Sequence, residues 1–176
     1  MRNIVLKFGL ISGALLSAML AITVPFQDAI GFDYGMIIGY TTMIVAFLLI
    51  YFGVRAYRET VADGSITFGR AVKVGALIAL ISSSCYVATW QVMYFNFMPD
   101  FSAKLSARTL EKARAAGESE AAISKKKKEM DEFEVMYRNP AINAAITFLE
   151  PLPVALIVTL VSAGLLSRRR SATRPS

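Results

Sequence analysis

The sequence predicts an all-α integral membrane protein: a four-helix bundle in the bilayer, with a charged extramembrane helical hairpin between spans three and four. Three observations predict it. Of 176 residues, 55% are hydrophobic and 18% charged, and the mean hydropathy is +0.51, an average that suits lipid better than a soluble domain of this length. The apolar residues are gathered into four runs, 8–25, 36–54, 74–93 and 147–166, each near the roughly 20 helical residues that cross a hydrocarbon core of about 30 Å. Charged residues flank these runs, with Glu150 the one interruption. Backbone N–H and C=O groups must be satisfied internally in lipid, which selects helices, and no alternating strand pattern suggests a barrel.

The first run follows Arg2 and Lys7, as a secretory leader would. Its apolar stretch is longer than a leader core and no small-x-small cleavage site follows, so it reads as a retained span. Gly9, Gly13, Ser17 and Ala21 recur every fourth residue and share one helical face; the second run opens with Gly35 and Gly39, and the third carries Gly75, Ala79 and Ser83. Small residues at this spacing let helix backbones approach closely. Packing within the bundle is the preferred reading of these faces, and a dimer contact the other.

Between the second and third runs, the glycines of Gly64-Ser65-Ile66-Thr67-Phe68-Gly69 and the preceding Asp63 mark a tight turn; a phosphate loop would need the Walker spacing and its Lys-Ser/Thr ending. In the third run, the hydroxyls of Ser82, Ser83 and Ser84 have their own helix carbonyls to bond, and Cys85 reads as a small apolar filler. Trp90 and Tyr94 fall near one interface, and Tyr51, Phe52 and Tyr57 near the other, levels that amphipathic rings favour.

Residues 100–139 form the charged insert. Helix formers fill 104–116 and 118–138, Gly117 divides them and Pro140 ends them. Met130, Phe133 and Tyr137 make a narrow apolar stripe. Lys125, Lys126, Lys127 and Lys128, followed by Glu129, Asp131, Glu132 and Glu134, read as a solvated face of i,i+4 ion pairs. Residues 171–176 read as a disordered tail.

Glu150 is the one acid inside a run. With the boundary near Thr147, it lies three residues in, roughly 5 Å at 1.5 Å per residue. An ionised carboxylate there is costly unless paired, hydrated or protonated. Pro151 and Pro153 lack the N–H that a first helical turn leaves unbonded anyway, so Glu150 reads as the cap of a half-helix. Trp90 and Gln91, at the same estimated depth, are its candidate donors. A structural cap is preferred over a proton or cation site.

The flanking basic residues set topology. Arg2 and Lys7, then Arg55, Arg58, Arg70 and Lys73, then Arg168, Arg169 and Arg170 alternate with a loop carrying only Asp28 and Asp33, placing both termini in the cytoplasm and the basic side chains at lipid headgroups. The insert holds nine basic and eight acidic residues, nearly cancelling. The net charge of +6 is therefore mostly membrane-flanking and comes without a nucleic-acid-reading motif. With no His and one Cys, the usual zinc and haem sites, Ser-His-Asp triads and intramolecular disulfides are excluded, and no metal or cofactor is expected.

Asn3-Ile4-Val5-Leu6-Lys7-Phe8-Gly9-Leu10-Ile11-Ser12-Gly13, Ile66-Thr67-Phe68-Gly69-Arg70-Ala71-Val72-Lys73-Val74-Gly75 and Glu150-Pro151-Leu152-Pro153 together resemble the bacterial family catalogued as domain of unknown function 4199. The resemblance runs from about Asn3 to Leu166. It implies a four-span inner-membrane protein with a charged segment before the last span, and no activity. The expected function is that of a non-enzymatic structural or accessory membrane protein, meeting lipid and a homo-oligomeric or other membrane partner. The alternative is a small transporter or channel with a proton or cation site at Glu150.

Overall fold

The computed structural model describes residues 1–26, 30–98 and 100–167, without the side chains of Phe32 and Asp33. Asp28, Arg168, Arg169, Arg170 and the 171–176 tail lie outside the described residues. Among the described residues, seven α-helices follow in order: α1 Arg2–Thr23, α2 Phe32–Thr60, α3 Phe68–Phe97, α4 Phe101–Ala115, α5 Glu120–Tyr137, α6 Pro140–Leu149 and α7 Leu152–Leu166. A 3-10 turn, Val24–Phe26, extends α1. No strand occurs among the described residues.

Among the described residues, four segments are long and apolar enough to cross a membrane: Arg2–Phe26, Tyr34–Thr60, Phe68–Phe97 and Pro140–Leu166. The first three continue beyond the apolar runs because the flanking residues, such as Arg2, Leu6, Arg55 and Arg70, are compatible with helix. The fourth begins at Pro140, seven residues before the expected start of 147. Pro140 does not merely end the insert; it opens α6, where its fixed φ and missing N–H suit a first turn. Asn139 caps that turn, its Oδ1 accepting from the N–H of Ala141 at 3.0 Å and of Ile142 at 3.4 Å.

The chain divides into two compact units, Met1–Thr89 with the chain from Phe148, and Trp90–Thr147. In the first, α2 packs on both α1 and α7, and Leu16, Phe47, Ile50, Val54, Val74 and Ile78 are fully buried. Their burial leaves Leu10, Ile37, Leu80, Leu156 and Ile157 exposed on the outer faces, a distribution suited to lipid. The 60s turn behaves as its composition predicts. Asp63 and Gly64 adopt φ of 47° and 81°, the Gly64 N–H reaches the Arg58 carbonyl at 2.8 Å, and Thr67 Oγ1 accepts from the Arg70 N–H at 3.4 Å.

In the second unit, α4 and α5 pack on one another through Leu110, Ala113 and Ile123. Gly117 makes the connection at φ 73°, its N–H bonded to the Arg114 carbonyl at 3.0 Å and that of Glu118 to Ala113 at 3.1 Å, as in a helix that ends at a left-handed glycine. Ser119 caps α5 by accepting from the Ala122 N–H. The lysine run pairs forward as its spacing predicts at Lys125–Glu129 (3.8 Å), Lys127–Asp131 (2.7 Å) and Lys128–Glu132 (3.9 Å). Lys126 instead reaches back to Glu118.

Candidate functional site

The break between α6 and α7 falls at Glu150 and Pro151. Pro151 and Pro153 bring no N–H to the carbonyls four residues upstream, on Thr147 and Leu149, and regular helix is interrupted. Glu150 lies ten residues beyond Pro140 within a 27-residue apolar segment.

The structure also corrects its role. The N-cap of α7 is Pro151, with no side-chain capping bond. The Glu150 carboxylate turns instead to α3, where Tyr86 Oη donates to Oε2 at 2.9 Å. Tyr86 is 4% exposed, so its phenol is held by packing, whereas Glu150 is exposed at the helix surface. Pro151 is fully buried, which fixes the turn from which Glu150 projects.

Trp90 and Gln91, the expected donors to Glu150, serve another cluster. Trp90 Nε1 donates to Tyr137 Oη at 2.9 Å, and Tyr137 Oη lies 3.0 Å from Thr147 Oγ1. Gln91 Nε2 donates to Asn143 Oδ1 at 2.8 Å and to the Pro140 carbonyl at 3.2 Å. Asn143 is wholly buried, and its Nδ2 has no hydrogen-bond partner. Trp90 further packs edge-on against Phe101, and Tyr94 against Tyr137, with centroids 5.1 and 5.3 Å apart. Both α3 rings belong to a buried aromatic cluster, with Tyr137 the one member of the 130–137 stripe that is buried.

The small-residue faces divide in two. A Cβ on Gly9 would lie 2.9 Å from the Ile81 Cβ, one on Gly13 2.7 Å from the Cys85 Cβ, and one on Gly75 2.9 Å from Thr159 Cγ2. Ser17 lies along the same contact, accepting from Thr89 Oγ1 at 2.8 Å. Gly9, Gly13, Ser17 and Gly75 thus bring helices together within one chain, whereas Gly35 and Gly39 have nothing within 4 Å of such a Cβ. Polar contacts reinforce the close approaches: Ser12 Oγ donates to the Ala46 carbonyl at 2.9 Å, and Ser82 Oγ lies 2.9 Å from the Ile78 and 3.1 Å from the Gly9 carbonyl. Ser84 bonds back to the Leu80 carbonyl as expected, but Ser83 Oγ is buried without a partner.

Of the basic residues at the ends of α2 and α3, Arg55 pairs with Glu59 at 2.9 Å. Arg58 reaches Glu59 at 3.5 Å and the Leu166 carbonyl at 3.5 Å, a cation at a helix C-terminus. Arg70 and Lys73 are exposed.

Sequence inspection gave no role to Tyr86, Asn143 or the Ser12 hydroxyl, and read Tyr137 only as part of an apolar stripe, without its hydroxyl contacts. The signals were present: Tyr86 lies one turn before Trp90 on the same face, and Asn143 is an amide in an otherwise apolar stretch.

Four apolar helices among the described residues, close glycine contacts and hydroxyls bonded across helices are compatible with a polytopic helical membrane protein. Within that class the chain belongs to the family described as protein of unknown function (DUF4199), whose profile matches residues 7–168. No curated protein and no solved structure matches it.

Proposed function

We propose that this chain is a four-helix-bundle, multi-pass protein of a bacterial inner membrane that acts as a structural or accessory subunit, through packing and partners rather than catalysis. One observation carries the reading. The hydroxyls of Ser12, Ser82 and Thr89 bond carbonyls or hydroxyls of neighbouring helices, the use that polar groups have as glue between membrane helices. The open Gly35 and Gly39 positions on α2 give a partner helix or a second copy room for the close approach already used at Gly9 and Gly13. The α4–α5 pair is the charged extramembrane hairpin in this reading. Arg55, Arg58, Arg70 and Lys73 support cytoplasmic termini, since they crowd the ends joined by the 60s turn.

The test is purification in mild detergent, with the mass of the complex measured by native mass spectrometry. A homo-oligomer, or a stoichiometric second membrane chain, is expected. A lone monomer from membranes solubilised under several gentle conditions would count against the accessory role.

A further inference from the structure

Among the described residues of the spans, Glu150 is a charge without a counter-charge. The sequence holds no Lys or Arg between Lys7 and Arg55, between Lys73 and Lys104, or between Arg138 and Arg168. No basic side chain of the spans themselves is therefore available at its depth. Titratable neighbours are equally few. α1 beyond Lys7, α6 and α7 carry none; α3 between Lys73 and Trp90 contributes Cys85 and Tyr86, and α2 between Tyr34 and Arg55 contributes Tyr40 and Tyr51. Of these the structure brings the Tyr86 hydroxyl to the carboxylate, at 2.9 Å.

A carboxylate in hydrocarbon must gain a counter-ion, water or a proton. A proton requires no coordination shell and no partner chain. The geometry also leaves room for it: Tyr86 donates to Oε2, so Oε1 remains for an O–H bond. The Pro151 and Pro153 break matters for the same reason, since it turns the Glu150 side chain out of a continuous helix and toward α3.

We propose that Glu150 is a proton-binding site within the bilayer, with Tyr86 as its positioning residue. The carboxylate takes one proton from water to form the acid, with the new O–H bond on Oε1, and returns it to water by the reverse step. Tyr86 keeps its own proton throughout and orients the group by donating to the other oxygen. The proposal rests on the membrane reading of the four helices and is independent of any accessory role.

The experiment is infrared difference spectroscopy of the full chain in phosphatidylcholine vesicles, as pH is cycled reversibly. A titrating C=O stretch of a protonated carboxyl is expected that disappears in Glu150→Gln. The same band should persist in Tyr86→Phe at a shifted frequency, because the phenol donor is gone. In Glu150→Asp it should remain, displaced, which keeps the test valid if the amide variant fails to insert. Wild-type and Glu150→Gln difference spectra that coincide in the carboxyl region would overturn the proposal. An unshifted band in Tyr86→Phe would remove Tyr86 from it. Neither result depends on which chains co-purify.

Discussion

Gly13→Ala tests the close contact between α1 and α3. The added Cβ would lie 2.7 Å from the Cys85 Cβ and 2.8 Å from its Sγ, about 0.8 Å inside the roughly 3.5 Å at which carbon atoms attract. The Cys85 Sγ can rotate away, but its Cβ is fixed to the α3 backbone, so α1 and α3 must separate. Overpacking of this kind costs about 1–3 kcal/mol. Separation also stretches the bond from Ser82 Oγ to the Gly9 carbonyl, already 3.1 Å, and that from Thr89 Oγ1 to Ser17 at 2.8 Å. Such bonds between membrane helices are worth about 0.6 kcal/mol each. The expected loss is roughly 2–3 kcal/mol, a change of about 30- to 150-fold in the folding equilibrium. The assay is equilibrium unfolding in mixed micelles followed by circular dichroism, with Gly35→Ala and Gly39→Ala as controls. Within the single chain those positions are open, and their substitution should cost the fold of the monomer nothing or stabilise it slightly through helix propensity. Cys85→Gly removes the clashing Cβ, so the double variant should recover part of the loss. Equal effects at Gly13 and Gly35, or no coupling between Gly13 and Cys85, would refute the reasoning.

Other substitutions probe the second unit. Tyr137→Phe removes the acceptor for Trp90 Nε1, at an expected cost of about 1 kcal/mol. Trp90 is the only tryptophan, so its fluorescence emission should move to shorter wavelength; an unchanged spectrum would mean the bond is not formed. Asn139→Ala deletes the cap of α6 and should destabilise by about 1 kcal/mol, read as faster amide exchange at Ala141 and Ile142, with Asn139→Asp retaining protection. Lys127→Ala breaks a pair whose side chains are 61% and 55% exposed, so stability should move by less than about 0.5 kcal/mol and lose little sensitivity to salt.

The helical class and the four apolar segments were legible because lipid imposes a simple rule: enough apolar residues in a row, with charges outside. The Gly64 and Gly117 turns were legible for an equally local reason, the left-handed backbone that glycine enters without a steric penalty. The start of the fourth segment was not. Pro140 carries two local meanings, ending one helix and opening the next, and the amino-acid pattern does not say that both apply. Nor were the partners: Glu150 meets Tyr86, while Trp90 and Gln91 meet Tyr137 and Asn143.

The glycine faces divide along the same line. Composition and spacing alone determined that Gly9, Gly13, Gly35, Gly39 and Gly75 permit close approach, since a missing Cβ is a property of the residue. Tertiary structure decided which of them are filled, because filling depends on the side chains that another helix, distant in sequence, brings opposite. The acid in the last segment follows suit: its cost in lipid is written in the sequence, while the hydroxyl that answers it is a matter of register between two helices.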